Sequence, residues 1–466
     1  MKRKLASIAS AVLAMMLLGT ACASTTTSSG SSSGTASGEE PAAFSLDGRV
    51  ITFGANWDIE PEAGSSRSDD LMIARVDEIE KKYDCKIEYL YGGDYEASVV
   101  ATTLSGEPNI DFGWFPPQFM FANAASNVLY PLSDISTLDL SADNVLTTTT
   151  QYCTYKDKIY GVDFGTYFDY AQQNNCLFMF YNKTLLKKHG QPDPFELQSQ
   201  GKWTWEAMRN IAIATTADTD GDGQVDQWGL ADMNNDIAHS LVLSNDANFY
   251  ERSTDGASSY FTYSLTSSKA LEALNYYQRL ACTDKVLYVP PAGSAEDAGK
   301  QLFIDGKAAF FEHNAWVNDE FHTSMKDEYG VVMFPKRDES ADYATHQIWL
   351  NFLGIPSSVK DPEKVAVIMY ELLGVPIEDP LTEGMTPEEL ITTDWESRCN
   401  DPSGVQTLLL ANTKPIIMDY SWVFSEAYNT NNNAIIEIAN GTQTPTAAIT
   451  AVAPQIQAII DSVLKS

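Results

Sequence analysis

The chain has 466 residues, 44% hydrophobic and 20% charged, which is ordinary for a globular protein with a large core. Its length predicts two or three lobes rather than one. The net charge of −33 at pH 7 repels nucleic acid and anionic lipid surfaces, which argues against function there. The same charge does not disfavour an uncharged ligand.

The first residues have the pattern of an export signal. A basic start, Lys2–Lys4, precedes an apolar run, Leu5–Leu18, which is shorter than the roughly 20 residues of a membrane span. Small residues, Gly19–Ala21, then lead to Cys22, which resembles the bacterial lipobox although Gly19 stands where Leu is usual. We predict a signal peptide over residues 1–21 and lipidation of Cys22; the alternative is ordinary cleavage near Ala21 or Ala23.

A linker follows the predicted lipidation site. Ser24 to Gly38 is nearly all Ser, Thr, Gly and Ala, a composition that behaves as a flexible coil. We therefore expect residues 22–45 to tether a folded part to the outer face of a membrane.

The first folded elements alternate in type. The periodicity predicts a βαβαβ series, typical of a parallel doubly wound α/β sheet, over Arg49–Ala55, Met72–Tyr83, Cys85–Leu90, Tyr95–Leu104 and Ile110–Trp114. Ligands of such sheets bind outside the carboxyl ends of the strands. Trp57, Trp114 and Phe115 follow or end strands and are candidates for that crevice, the alternative being that each packs in the core.

Later segments continue the α/β pattern. Helices are predicted over Ser267–Leu280, Pro362–Leu373 and Pro445–Val463, and a strand running into a loop over Phe310–Trp316. No second linker separates two lobes, so we expect the chain to cross between them more than once.

An acidic loop matches the opening of an EF-hand calcium site, in which carboxylates at alternate positions converge on one cation. The candidate ligands are Asp218, Asp220, Asp222, Gln224 and Asp226. Gly229 stands where a bidentate Glu is usual, so the loop is incomplete. Calcium with a structural role and an acidic turn without metal both remain open.

Six segments carry a recognisable series of motifs: Ser105–Ile110, Tyr130–Asp134, Lys158–Val162, Phe180–Leu185, Trp203–Glu206 and Phe303–Phe310. In this order they resemble motifs of the family 1 extracellular solute-binding proteins, the sugar-binding lipoproteins of ABC importers. The resemblance implies a two-lobed, periplasmic-binding-protein-like α/β fold that closes by a hinge on a ligand in its cleft. The approximate lobes are residues 46–162 plus 300–333 and residues 163–299 plus 334–466. The expected crossings lie near Gly161–Gly165 and Val331–Pro335, with a surface excursion around Glu378–Ser403.

Sugars stack their C–H faces on aromatic rings and need fixed polar partners for their hydroxyls. By resemblance, the stacking positions are Trp57, Trp114, Trp316 and Trp422. The polar candidates are Asn56, Asp163, Asn235, Asp236, Asn314 and Asn351. His239 and His313 are weaker candidates, since a lone histidine is more often a hydrogen-bonded structural residue than a ligand contact.

The expected function is capture of a carbohydrate, preferably an oligosaccharide, by a lipid-anchored monomer that delivers it to the permease subunits of an ABC importer. No cofactor is required for this function. The sequence contains no HExxH, P-loop or GxGxxG motif and no credible Ser/His/Asp set. The alternative is a secreted carbohydrate-active enzyme, either a glycosidase or a lyase.

Overall fold

The structure, a computed structural model, describes residues 44–165, 176–253, 260–291, 294–295, 297–377, 384–398 and 401–465. The predicted signal peptide, Cys22 and all but the last two residues of the predicted tether lie outside the described residues.

The described part of the chain alternates between short strands and helices. The strands are β1 Arg49–Ala55, β2 Cys85–Tyr91, β3 Phe112–Phe115, β4 Thr154–Tyr155, β5 Lys158–Ile159, β6 Cys176–Asn182, β7 Trp228–Asp232, β8 Tyr250–Arg252, β9 Phe261–Tyr263, β10 Ala308–Asn314, β11 Tyr329–Val332, β12 Thr345–Gln347, β13 Phe352–Gly354 and β14 Ile416–Met418. The first helices are α1 Arg67–Tyr83, α2 Tyr95–Ser105, α3 Met120–Ala125, α4 Thr147–Tyr152, α5 Lys183–Lys188, α6 Pro194–Ser199, α7 Trp205–Thr215 and α8 Asp236–Ser244. The later helices are α9 Ser268–Gln278, α10 Ala298–Ile304, α11 Asn318–Ser324, α12 Pro362–Leu373, α13 Pro387–Arg398, α14 Pro402–Asn412, α15 Ser425–Ala439 and α16 Pro445–Lys465.

The first sheet has the strand order β13-β3-β1-β2, and β1 is parallel to both of its neighbours. This confirms the predicted βαβαβ series. Gly54 and Gly113 lie side by side on β1 and β3 under the ring of Tyr95. A Cβ atom at Gly54 would lie 2.6 Å from that ring, so glycine allows α2 to pack closely on the sheet.

The second sheet has the order β14-β12-β6-β10-β7, and β11 also pairs with β6. All residues of β6 are buried, which explains why its sequence is a nearly continuous apolar run. Strands β10, β11 and β12 are all antiparallel to β6, so β6 is the centre of this sheet.

Strand pairing corrects the expected lobe boundaries. Residues 300–333 were expected in the first lobe, but β10 and β11 hydrogen-bond to β6 in the second sheet. The chain returns to the first sheet at β13, which pairs with β3. The second crossing therefore lies between Gln347 and Phe352 and not at Val331–Pro335. Alternating hydrophobicity predicts a strand, but it does not specify the partner of that strand.

Residues 378–383, 399 and 400 of the expected surface excursion at residues 378–403 lie outside the described residues, and the rest of it includes a buried tryptophan. Trp395, on α13, is only 1% exposed. Helix α14 packs against β11, and its Thr407 hydroxyl donates a hydrogen bond of 2.8 Å to the carbonyl of Val331. Trp395 thus belongs to the main core, and α14, most of which lies beyond residue 403, packs on the second lobe.

The final helix, α16, is long and apolar enough to span a membrane by length and composition alone. Its buried residues Ile449, Ile456 and Ile460 belong to the main core, and the helix packs against α15 and α3. Beside it, the ring of Phe121 on α3 lies 4.9 Å from that of Phe261 and 6.5 Å from that of Phe424, which precedes α15. The end of the chain thus packs on its first third.

Candidate ligand-binding site

The carboxyl ends of β1 and β3 form one edge of the first sheet. The two strands are parallel, with Phe53 opposite Phe112. Strand β13 is antiparallel and begins at this edge, with Phe352 opposite Phe115. Asn56, Trp57 and Asn351 therefore lie at the same edge as Trp114.

In the second sheet, four strands also end at one edge. Asp232 of β7 is opposite Glu312 of β10, and Gln347 of β12 is opposite Met418 of β14, with each pair parallel. The segments that leave this edge carry the remaining site candidates. They are Asn235 and Asp236 after β7, Trp316 after β10, Trp349 after β12 and Trp422 after β14.

A short crossing joins these two edges. Gln347 ends β12 and Phe352 begins β13, so residues 348–351 connect the sheets. An extended chain of that length spans at most about 18 Å. The two edges that bear the candidate residues are therefore held close together, as in α/β proteins that bind ligands at the carboxyl ends of their strands.

Exposed aromatic side chains lie at both of these sheet edges. The rings of Trp57 and Trp114 are 6.5 Å apart at 34°, and Trp57 is 40% exposed. On the second lobe, Trp316 is 48% exposed. Its ring meets the edge of His313 at 5.1 Å. That these three residues stack on a ligand stays a prediction.

Trp422 belongs to an aromatic group that the sequence did not predict. Its ring stacks on Tyr428 at 3.8 Å and meets Trp349 edge-on at 5.2 Å. Trp349 was missed because the crossing at residues 348–351 was assigned elsewhere in the chain, and Tyr428 because its helix, α15, was not predicted. The available signal was an aromatic residue two positions before Asn351, just ahead of a short apolar strand.

Phe115 was a site candidate, and the structure places it in the core. It is 0% exposed, and its ring stacks on Phe119 at 4.3 Å and on Tyr95 at 5.7 Å. Side chains alternate between the two faces of a strand, so Trp114 and Phe115 point in opposite directions. Of these two residues, only Trp114 remains a candidate for the ligand site.

The amide candidates differ in the hydrogen bonds that they make within the protein. Asn235, in the left-handed region at φ 61°, accepts from the Tyr277 hydroxyl at 3.0 Å and donates to Asn432 at 2.5 Å. The Asn351 Oδ1 accepts from the indole N–H of Trp349 at 3.0 Å.

The other polar candidates differ mainly in exposure. Asn56 is exposed, whereas Asp163 and Asn314 are 7% and 5% exposed. Asn56 is therefore the amide most accessible to a ligand in this conformation.

Asp236 is buried, and one of its oxygens lies 2.8 Å from Nδ1 of His313. Its Oδ1 and the Nε2 of His313 are both buried and make no hydrogen bond within the described part of the chain. The Asp236 contact fixes the imidazole ring against which Trp316 packs. That His313 is structural rather than a ligand contact stays a prediction.

Buried carboxyl groups lie between α8 and the second sheet. Burial raises the pKa of both Asp232 and Glu312 well above the ordinary range, and the charge of Asp236 adds to this effect. A contact from the Ser240 hydroxyl offsets part of the rise at Glu312. Ser240 also lies 3.0 Å from Nδ1 of His346, whose pKa burial lowers to about 3. His346 is therefore neutral, and Glu312 tends to hold its proton.

One Ser/His/Asp group occurs among the described residues, but its geometry is not catalytic. Asp419 Oδ2 lies 2.6 Å from Nδ1 of His239, and the Ser421 hydroxyl donates to the same carboxylate oxygen at 3.0 Å. A triad needs the serine on the opposite ring nitrogen. All three residues are buried, so they form a structural network at the end of β14.

The acidic loop brings three of its predicted ligands together. Carboxylate oxygens of Asp218, Asp220 and Asp222 lie within 4.8 Å of one another, and all three residues are exposed. The backbone N–H groups of Gly221 and Gly223 donate to Asp218 at 2.7 and 2.8 Å.

The remaining two predicted ligands are less well placed. Asp226 accepts two hydrogen bonds from Thr219, at 2.8 and 2.7 Å, and these contacts lower the pKa of Asp226. Its carboxylate is thus engaged outside the acidic group. The backbone N–H of Gln224 donates to Asp222 at 2.7 Å.

The chain belongs to the bacterial extracellular solute-binding proteins, since the model of that family matches residues 74–374, more than half of the chain. No protein with a curated description matches it. The solved structures that resemble it are two-lobed binding proteins, which confirms the expected fold.

Three of these structures show the range of related proteins. An ABC substrate-binding protein from Listeria monocytogenes, in complex with cycloalternan, is 17% identical at a TM-score of 0.61, covering 88% of this chain and 99% of its own. The maltose/maltodextrin-binding domain MalE from Bdellovibrio bacteriovorus, bound to maltotriose, is 14% identical at a TM-score of 0.58, covering 90% and 100%. UgpB from Mycobacterium tuberculosis, in complex with glycerophosphocholine, is 15% identical at a TM-score of 0.61, covering 88% and 98%.

Proposed function

We propose that this protein binds a carbohydrate, preferably an oligosaccharide, outside the cell and delivers it unchanged to the permease subunits of an ABC importer. The observation that carries the proposal is the pair of exposed tryptophans, Trp57 and Trp316, at the two sheet edges that residues 348–351 join. Flat aromatic faces with amides beside them suit sugar rings and hydroxyls. The ligands of the Listeria and Bdellovibrio proteins, cycloalternan and maltotriose, support the same class.

A thermal-shift panel tests this proposal. A ligand present at 100 times its Kd adds about 2.7 kcal/mol to the free energy of unfolding, so the cognate sugar is expected to raise the Tm clearly. The panel contains mono-, di- and oligosaccharides, with glycerophosphocholine as the competing class. A shift with glycerophosphocholine alone would overturn the choice of carbohydrate.

Assays for new reducing ends separate a carrier from a glycosidase or lyase. We expect binding without turnover when the purified protein is incubated with any sugar that shifts its Tm. Cleavage of the bound sugar would favour the enzyme instead.

The proposal includes a lipid anchor at Cys22. We expect Cys22→Ser to release the protein from membranes into the medium, because the acyl chains are then never attached. Detergent partition of the two forms measures the effect, and Cys282→Ser, far along the chain, is the control that keeps the anchor. Retention of the Cys22→Ser protein in the detergent phase would contradict the anchor.

We also propose that the loop of Asp218, Asp220 and Asp222 holds a structural calcium ion, because three carboxylates converge there. Chelation is then expected to lower the Tm, and Asp220→Ala is expected to abolish that sensitivity. The exposed Glu107→Ala is the control, and it should respond to chelator like the wild type. Identical melting curves of the wild type with and without chelator would disprove the ion.

A further inference from the structure

A pocket of about 250 Å³ opens beside Trp114 in the first lobe. It lies on the face of the first sheet that α1 and α12 cover. Its walls are mainly apolar and include Met72 of α1, Leu353 of β13 and Leu372 of α12, whereas Ser68 and Asp163 supply polar groups. The sheet supplies the inner wall, since Leu353 pairs with Trp114 across β13 and β3.

The pocket and the candidate sugar site share the side chain of Trp114. Trp114 lines the pocket, and its ring also lies 6.5 Å from the ring of Trp57, at the carboxyl edge of the sheet. Asp163, a polar candidate for the same site, lines the pocket too. A ligand resting on the two tryptophans is therefore adjacent to the pocket.

The chemistry of the walls suits a part of the ligand that is not a sugar ring. Apart from Ser68, Asp163 and the indole N–H of Trp114, the residues that line the pocket have no side-chain group that hydrogen-bonds a hydroxyl well, and a hydroxyl buried without a partner is unfavourable. An apolar group gains by the same burial. At about 30 Å³ for each water-sized group, the volume holds about eight non-hydrogen atoms, enough for a phenyl or a short alkyl group.

We infer that the ligand of this protein is a glycoside bearing an apolar alkyl or aryl substituent, which inserts into the pocket beside Trp114. This inference rests on the proposed function, since the sugar part occupies the site between the lobes. It narrows the ligand class from carbohydrates in general to sugars with an apolar group.

Calorimetry with methyl α-maltoside and phenyl α-maltoside tests the inference, with phenol as a sugar-free probe followed by saturation-transfer NMR. We expect the phenyl glycoside to bind at least about tenfold more tightly, a difference of 1.4 kcal/mol. Val375→Phe, which fills the pocket from its wall, should remove that preference and the phenol signal while leaving methyl α-maltoside affinity unchanged. Met72→Phe on α1 serves the same purpose if Val375→Phe fails to fold.

Ala74→Phe is the matched control, because Ala74 is exposed on the same helix as Met72 and does not line the pocket. Equal binding of the two maltosides, or a phenyl preference that survives both filling variants, would overturn the inference while leaving the proposed function intact. Phenol bound in the pocket without binding of either maltoside would support the apolar pocket and count against maltose as the sugar. Binding of none of the three probes would overturn the inference.

Discussion

Trp316→Ala is expected to weaken binding of the cognate sugar at least about tenfold while changing the Tm little. The indole is 48% exposed and, within the described part of the chain, its ring contacts the edge of His313, so its loss removes ligand surface rather than core. Isothermal calorimetry and thermal melting on the same preparation measure both quantities. Leu104→Ala, at an apolar residue that is 65% exposed on α2, is the control that should change neither.

Trp422→Ala is expected to behave differently from Trp316→Ala. Its ring stacks on Tyr428 and contacts Trp349, and it packs beside Leu177 and Leu243. We expect this variant to lose both affinity and stability, because truncation of a packed tryptophan costs up to about 3–5 kcal/mol. Wild-type affinity in both variants would show that these tryptophans are scaffold and that the ligand binds elsewhere.

Glu312→Gln is expected to raise the Tm near pH 8 by at least about 2 °C, and the gain should shrink as the pH falls toward about 4. Burial raises the pKa of Glu312 well above its ordinary value of 4.5. Above that pH the unfolded chain releases the proton while the folded protein retains it, so rising pH favours unfolding. Glutamine has a similar shape and cannot ionise, which removes this cost.

The difference in Tm between the wild type and Glu312→Gln separates the effect of Glu312 from that of its neighbour His346. The pKa of His346 is lowered, so protonation of the unfolded chain destabilises the fold as pH falls below 6.5, which is the opposite trend. That contribution is common to both proteins and cancels in the Tm difference. The exposed Glu107→Gln is the control, and a Tm difference for Glu312→Gln that does not change with pH would contradict the raised pKa.

The sequence predicted the helices and strands better than it predicted which strands pair with each other. The βαβαβ series and the strand that became β10 are present in the structure because hydrophobic periodicity is a local property. The lobe to which β10 belongs depends on long-range pairing with Phe178 and Phe180, and no local pattern encodes that choice. For the same reason, the second crossing was predicted at Val331–Pro335 and not at residues 348–351.

The candidate site shows the same division. Trp57 directly follows β1 and lies at the expected edge because topology alone places it there. Trp316 follows β10 and therefore lies at the edge of the second sheet, although residues 300–333 were expected in the first lobe. Phe115 was misassigned because a ligand edge was predicted without considering the alternation of side chains along β3. Trp349 was missed because its location depends on the crossing, which the sequence did not reveal.

The packing of Phe121 against Phe261 and Phe424 constrains the order in which the molecule can assemble. A chain that emerges from its N-terminus exposes α3 long before α15 and α16 exist to cover it. Until the last segment arrives, Phe121 and its neighbours are an unprotected apolar surface, and contacts of such high sequence separation form slowly. During synthesis, the first sheet can therefore form before the last segment of the chain covers Phe121. At that stage the aromatic residues around Phe121 are exposed and can aggregate or bind a chaperone.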